Sequence, residues 1–383
     1  MKVLKIEYEG LKHFENGHLT IDLYAADRVS QNNDLHKVAG NIYVQNIIGL
    51  IGLNATGKTT VLRLLKMALD VMINNVDLNT TEAPEMIGDG TIMRVTFHLD
   101  GKYYQLESTI ITIEDTSGRQ KFCYGEEVLR GRNSRVQARA DLNRFETEIK
   151  RRSKLDAEAK MYLEDGKSIV SATVKGNGQC VTGLLWQSYL NLPLIDQKVP
   201  TEILNVFDES IEMLSMEMPT KTGAPLRWSL RFKGEDEIYE NTDPLAMNRL
   251  ISTGTIKGQE LMRQIVYTLR KGGYMLVDEL EMHLNKELVR IILGLFQSPK
   301  TNPNGGCLIF STHYPEILDS FDRKDNIYIT RKSERQMTVR KFSDEFHRND
   351  FKKSDIIISN ALKGTAPKYE TIQRLRDYVC RSI

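Results

Sequence analysis

Residues 52–59, with the sequence Gly-Leu-Asn-Ala-Thr-Gly-Lys-Thr, restrict the possible folds more than any other part of the chain. They match the pattern G-x-x-x-x-G-K-[ST] in full. An apolar run precedes them at 46–52, and residues 59–72 carry leucine, valine and methionine at helical spacing. Strand, glycine turn and helix follow one another in the order in which this pattern binds phosphate. The alternative, a chance glycine-rich turn, requires neither flanking element.

The residue types of this turn suit a phosphate chain. Glycines allow backbone N–H groups to converge on phosphate oxygens, Lys58 brings a positive charge to the β and γ phosphates, and the Thr59 hydroxyl can coordinate Mg²⁺. The motif alone indicates a nucleoside triphosphate and nothing more specific. We expect the triphosphate to be bound by Gly52, Asn54, Ala55, Thr56, Gly57, Lys58, Thr59 and Thr60.

Short apolar runs alternate with helical patterns in the last third of the chain. The expected elements are a helix at 259–271, a strand at 274–277, a helix at 284–296, a strand at 308–310, a helix at 315–321 and a strand at 326–330. Such alternation predicts an α/β fold with a mostly parallel sheet flanked by helices. Ligands of such sheets bind at the carboxyl ends of the strands.

The rest of the chain predicts additions to this sheet. Alternating patterns at 3–8 and 19–23, and a hairpin around Asp100 and Gly101, predict an N-terminal antiparallel β-subdomain. After it the composition becomes charged and favours helix, which predicts an inserted helical arm. The expected limits are 1–125 for the first part of the domain that carries the phosphate loop, 126–180 for the arm, 181–345 for the second part of that domain and 346–383 for a tail helix.

Two of the predicted strands end in polar residues that can serve a triphosphate. Asp278 and Glu279 follow the strand at 274–277, and His313 follows the strand at 308–310. We predict that Asp278 binds Mg²⁺, that Glu279 polarises the attacking water and that His313 contacts the γ-phosphate. The alternatives are two acids that cap the next helix and a histidine that is hydrogen-bonded to a loop.

The segment at 250–259 offers a second place for an anion. Ser252 and the N–H groups around Gly254 stand where a helix begins, which favours negative charge. Because one nucleotide does not need two such sites on one subunit, we expect Ser252 and Gly254 to address the γ-phosphate of ATP bound to another subunit. An ordinary helix-capping loop is the alternative.

The chain resembles the ABC-type ATPases of the repair, chromosome-maintenance (SMC-like) and overcoming-lysogenisation-defect kind. These proteins carry the same features in the same order: the phosphate loop, the glycine-containing segment, the acidic strand end and the histidine. The likeness covers roughly residues 1–125 and 180–345. It implies Mg²⁺-dependent ATP hydrolysis in a head-to-tail homodimer or higher homo-oligomer. It also implies catalytic roles for Lys58, Glu279 and His313.

The chain departs from the pattern of that family at three points. Thr253 and Thr255 flank the glycine in place of a Ser-Gly-Gly run, and Asn285 stands where many members carry an aspartate. The glutamine of the family's Q-loop corresponds to either Gln187 or Gln197, with no motif around either.

The function expected from the resemblance is an ATP-driven dimer switch. It would act as a switch or sensor for a DNA-linked or anti-phage effector, and a separate nuclease is one such partner. An assembly scaffold that binds ATP and hydrolyses little of it is an alternative from another class. A transport ATPase subunit is a third reading, which the N-terminal antiparallel strands and the basic arm disfavour.

The arm contains a local excess of basic residues. Between Arg130 and Lys154 there are nine Arg or Lys residues and three acidic ones, in a chain whose net charge is only +1. Such a cluster can follow a DNA backbone. A solvated helix face is the alternative, because Phe145 is the only aromatic residue there.

The remaining composition excludes several classes of protein. No apolar run approaches the roughly 20 residues that span a bilayer, and the first eight residues alternate charged and apolar side chains as a strand does. The four cysteines form no C-x-x-C pair, so neither a disulfide framework nor a zinc module is expected. We therefore expect a cytoplasmic protein with no membrane partner.

Overall fold

The computed structural model describes residues 1–28, 34–81, 85–114, 118–132, 139–171, 179–185, 197–217, 227–247, 249–282, 284–348, 350–367 and 369–382. The chain is mixed α/β and divides into two compact units. The first comprises Met1–Leu185, Thr268–Leu280 and Arg290–Ile383, and the second comprises Trp186–Tyr267 and Glu281–Val289.

The strands are β1 (Lys2–Glu9), β2 (Leu19–Asp22), β3 (Leu35–Ala39), β4 (Ile42–Gln45), β5 (Ile47–Ile51), β6 (Thr91–Leu99), β7 (Lys102–Glu114), β8 (Gln120–Gly131), β9 (Thr147–Arg151), β10 (Val181–Leu184), β11 (Gln197–Lys198), β12 (Ile211–Glu217), β13 (Arg227–Phe232), β14 (Tyr239–Asn241), β15 (Tyr274–Val277), β16 (Cys307–Thr312), β17 (Ile327–Ser333) and β18 (Gln336–Lys341). The α-helices are α1 (Lys58–Leu69), α2 (Ala157–Tyr162), α3 (Thr201–Phe207), α4 (Pro244–Met247), α5 (Thr253–Lys271), α6 (Lys286–Gln297), α7 (Phe342–Glu345), α8 (Lys353–Ile358) and α9 (Tyr369–Ser382). None of these described helices combines the length and the apolar character needed to cross a lipid bilayer.

The sheet that positions the candidate site has the strand order β10-β15-β16-β5-β17-β18. Neighbouring strands from β10 to β17 pair in parallel, and β18 returns antiparallel to β17. Every residue of β5, β15 and β16 is buried, as expected for strands covered on both faces. Because these three strands run in the same direction, the residues that follow them emerge at one edge of the sheet.

A second sheet of the first unit is antiparallel, in the order β2-β1-β6-β7-β8-β9. The predicted hairpin turn is confirmed, since Asp100 and Gly101 lie between β6 and β7 with φ angles of 48° and 77°. Asp-Gly is favoured where both turn residues need positive φ. The Tyr8 hydroxyl donates to the Leu64 carbonyl oxygen at 2.8 Å, which ties β1 to α1 within the common apolar core.

The second unit contains an antiparallel sheet in the order β11-β12-β13-β14. Its core includes Trp228, whose indole N–H donates to the Asp243 carbonyl oxygen at 2.8 Å, and Ile256 from the first turn of α5. Gly258 allows α5 to approach α3 closely, because a Cβ at this position would lie 2.2 Å from the Phe207 ring. The small residue in the helix therefore has a packing role.

The mixed α/β class is confirmed, but antiparallel pairing is more common than expected. Among the described strands, parallel pairs occur only in the sheet that contains β5, and the other three sheets are antiparallel. The helical character predicted for residues 126–180 is wrong in the described part. This segment contains the end of β8 and all of β9, and its α-helix, α2, has six residues.

Long-range ion pairs explain why this charged segment is not a helical arm. Glu127 of β8 is completely buried, and it accepts hydrogen bonds from the Ser168 hydroxyl at 2.6 Å and the Arg152 guanidinium at 2.9 Å. Burial raises the pKa of the Glu127 carboxyl, and these donors oppose that rise. The charged side chains thus attach the segment to the sheet.

Candidate nucleotide-binding site

The predicted phosphate loop leaves the end of β5, turns sharply and enters α1. Ala55 and Gly57 have φ angles of 60° and 98°, in the left-handed region. Gly52 has no space for a side chain, because a Cβ would lie 2.3 Å from the Thr330 hydroxyl oxygen. The Thr56 hydroxyl donates to the Leu53 carbonyl oxygen at 2.7 Å, which stabilises the turn.

Gly52→Ala is expected to destabilise the protein by about 1–3 kcal/mol, because the new methyl group overpacks a buried contact with Thr330. Gly294→Ala is a matched control in α6, where no atom lies within 4 Å of the added methyl group. A helical Gly-to-Ala change is expected to stabilise by about 0.5–1 kcal/mol. Thermal unfolding of both variants measures the difference. Equal melting temperatures for the two variants would contradict this packing of the loop.

Lys58, the first residue of α1, is buried and lies within the loop. Its ammonium group donates to the carbonyl oxygens of Gly52 at 2.9 Å and Leu53 at 3.1 Å, and it lies 3.4 Å from His313 Nδ1. The N-terminus of α1 adds a partial positive charge at the same place. Both charges favour a phosphate group in the turn.

Asp278, directly after β15, meets the residue that follows Lys58. The Thr59 hydroxyl donates to Asp278 Oδ2 at 2.5 Å, and the Ser311 hydroxyl donates to Asp278 Oδ1. A hydroxyl and a carboxylate in contact beside a phosphate loop are a donor set that suits Mg²⁺. Ser311 was not predicted, although its position in β16, two residues before His313, was the available signal.

Glu279 and His313 lie beside this pair. Glu279 has a φ of 50°, and its backbone N–H donates to the Ser311 hydroxyl oxygen at 2.7 Å. His313 Nε2 lies 3.4 Å from Glu279 Oε1, while His313 Nδ1 faces Lys58. In this arrangement Nδ1 can accept from the Lys58 ammonium group while Nε2 donates to Glu279. His313 thus connects the cation of the loop with the carboxylate after β15.

Glu279 and His313 line a pocket of about 630 Å³, together with residues 54–60 of the loop. The remaining lining residues of the pocket were not predicted from sequence. They are His13, Met86, Lys332, Arg335 and Met337. No motif marks these residues, because they reach the pocket through pairing of β17 with β18, through the turn after β1 and through the segment before β6.

The described residues contain no group of three or more His, Cys, Asp and Glu side chains arranged to hold a metal ion. Thr59 and Asp278, which are in contact beside the loop, are the side chains that would hold a divalent ion here. Mg²⁺ commonly takes one or two protein ligands and completes its shell with phosphate oxygens and water. The donor set fits Mg²⁺ bound together with a triphosphate.

Ser252 and Gly254 belong to the second unit, at the start of α5. Ser252 is the N-cap of this helix, since its hydroxyl oxygen accepts from the Thr255 backbone N–H at 3.0 Å. The Ser252 side chain is exposed. The capping alternative therefore describes its contacts within one chain, and an additional role toward a second subunit stays a prediction.

Three further residues were compared with the family pattern: the two candidates for the Q-loop glutamine, Gln187 and Gln197, and Asn285. Gln187 lies outside the described residues, and Gln197 is in β11 with its side chain outside them. Asn285 precedes α6, and its side-chain oxygen accepts from the Leu288 backbone N–H at 2.8 Å. Asparagine is thus a suitable N-cap at this position.

Most of the described basic residues of the 130–154 segment have acidic partners. The ion pairs are Arg130–Glu107, Arg132–Asp141, Arg151–Glu148, Arg152–Glu127 and Lys154–Glu148. Arg135 and the side chain of Arg139 lie outside the described residues. The pairing reduces the positive charge that the sequence indicated for a DNA contact.

The chain matches no protein-family model, and no curated protein is significantly similar to it. The function of the site must therefore be argued from the residues around the pocket.

Proposed function

We propose that the chain is an ABC-type ATPase of the SMC-like and overcoming-lysogenisation-defect kind, which binds and hydrolyses ATP with Mg²⁺. One observation carries the proposal. Side chains that are up to 255 positions apart in the sequence, from Lys58 to His313, are neighbours at the ends of β5, β15 and β16. Phosphoryl transfer requires that a cation, a pair of metal ligands and a water-positioning group lie close to one another.

Each residue has a specific role in the proposal. Lys58 and the backbone of the loop bind the β and γ phosphates, and Thr59 and Asp278 are the side chains that would hold Mg²⁺. When bound, Mg²⁺ would neutralise charge that develops on the phosphate oxygens. Glu279 accepts a proton from the attacking water, and His313 donates through Nε2 to Glu279 or to the γ-phosphate.

The proposal extends to a head-to-tail dimer. The N-terminus of α5, with Ser252 and Gly254, would cover the γ-phosphate bound to the phosphate loop of a second copy. The exposure of Ser252 supports this role, because its capping contact leaves the helix end accessible. Closure around ATP would then be transmitted to a separate effector protein. We do not extend the proposal to DNA, since most of the described basic residues between Arg130 and Lys154 are ion-paired.

Lys58→Ala is expected to weaken Mg²⁺-ATP binding roughly 10- to 100-fold, because a charge-assisted contact worth about 1.5–3 kcal/mol is lost. Isothermal titration calorimetry measures the affinity. Lys300→Ala, which removes an exposed lysine outside the pocket, is the matched control. Thermal unfolding of both variants shows whether loss of the contacts of Lys58 with the loop carbonyls disturbs the fold. Wild-type protein that binds no ATP, or a folded Lys58→Ala variant with unchanged affinity, would refute the proposed site.

A further inference from the structure

The hairpin of β17 and β18 forms a wall of the pocket that no sequence motif predicts. Its strands are connected by the two residues Glu334 and Arg335, and Glu334 has a φ of 53°. Lys332 and Met337 are directly opposite in the register of the two strands. Cross-strand partners of this kind project their side chains from the same face of the hairpin.

Met337 shows what that face contacts. Its side chain is buried, and a Cβ at Gly57 of the phosphate loop would lie 2.3 Å from the Met337 sulfur. The Met337 backbone N–H also donates to the His13 carbonyl oxygen at 2.7 Å. The hairpin is therefore attached to the loop on one side and to the turn after β1 on the other. Lys332 projects from the same face as Met337, toward the loop.

Lys332 and Arg335 differ from the neighbouring cations of the hairpin. Arg331 pairs with Glu345 at 2.5 Å, and Arg340 pairs with Glu15. Within the part of the chain that the structure describes, Lys332 and Arg335 make no ion pair, and both are exposed and line the pocket. Two unpaired cations at the mouth of a concave site attract a polyanion.

We propose that Lys332 and Arg335 form a second cationic contact for the nucleotide, at the α and β phosphates. This inference rests on the proposed ATP site. Lys58, Glu279 and His313 define the part of the pocket for the γ-phosphate, since their contacts with one another lie beside the metal ligand pair. The hairpin contacts the loop at Gly57, whose neighbouring backbone N–H groups bind the α and β phosphates in this motif.

This placement predicts a pattern that a contact with the γ-phosphate would not produce. ADP and ATP share the α and β phosphates, so loss of the two cations is expected to weaken both nucleotides by the same factor. The effect is therefore expected in the dissociation constants of both nucleotides.

The test compares Lys332→Gln/Arg335→Gln with the charge-matched control Lys300→Gln/Arg374→Gln, which removes two exposed cations elsewhere. ADP and ATP are titrated against both double variants and the wild type by calorimetry at two salt concentrations. We expect roughly tenfold weaker binding of both nucleotides by the hairpin variant, with a smaller dependence on salt. The control is expected to bind as the wild type does.

The other outcomes overturn the inference in different ways. If the wild type binds ATP and the hairpin variant binds as tightly as the control, the contact does not exist while the proposed function stands. Weaker binding of ATP alone would move the cations to the γ-phosphate and contradict the placement. If the wild type binds neither nucleotide, the proposed function fails and the inference fails with it.

Discussion

Glu279→Gln is expected to abolish steady-state phosphate release while Mg²⁺-ATP still binds with wild-type affinity. A general base contributes about 10²- to 10⁴-fold to the rate of a reaction of this kind, and glutamine has the same shape but cannot accept the proton of the attacking water. The contact with His313 is preserved in the variant, because the amide oxygen accepts from Nε2 as the carboxylate oxygen does at 3.4 Å. Fold and nucleotide affinity are therefore expected to be unchanged.

The experiment pairs a phosphate-release assay with calorimetry. Glu370→Gln removes an exposed carboxylate of α9 and serves as the control. A Glu279→Gln variant that binds ATP and releases phosphate at the wild-type rate would exclude Glu279 as the base. Wild-type protein that binds ATP with no measurable turnover, even when its effector is present, would favour the scaffold reading over the ATPase.

The site residues that follow the ends of individual strands could be predicted from the sequence. The apolar runs of β5, β15 and β16 identify strands buried on both faces, and parallel neighbours must present their following residues at one edge. Lys58, Asp278 and His313 therefore could be predicted to meet without any knowledge of the loops between them. Local pattern and sheet geometry were sufficient for this group.

The charged segment after residue 125 could not be interpreted locally. Its excess of Arg and Lys is typical of a solvated helix, but Arg152 pairs with the buried Glu127, and Arg130 pairs with Glu107 on β7. Such partners are distant in sequence or on another strand, so composition gives no information about them. Register between strands determined the structure here, and helix propensity did not.

The hairpin side of the pocket could not be predicted for a related reason. Lys332 and Met337 resemble ordinary strand residues, and Arg335 resembles an ordinary surface residue of a two-residue turn. Their relation to the proposed nucleotide pocket depends on the packing of Met337 against Gly57. Tertiary contacts of this kind leave no spacing pattern in the sequence.

The head-to-tail dimer can be tested with two variants that are each expected to be inactive at an ATP concentration too low to fill the weakened Lys58→Ala site. Lys58→Ala removes the phosphate-loop cation and keeps the α5 helix end intact. Ser252→Asp keeps a good N-cap for α5 but places a negative charge where the γ-phosphate of the other subunit would lie. Ser252→Asn preserves the cap without charge and is expected to retain activity, so a loss specific to aspartate reflects repulsion of phosphate.

The most direct measurement mixes Lys58→Ala with Ser252→Asp before ATP is added and follows phosphate release. In a mixed dimer, the intact phosphate loop of the Ser252→Asp copy faces the intact helix end of the Lys58→Ala copy, so one of the two sites is complete. With random pairing, half of the dimers are mixed and half of their sites work, which predicts about a quarter of wild-type activity. Activity of the mixture no greater than the mean of the two separate variants would contradict a nucleotide shared between two copies of this chain.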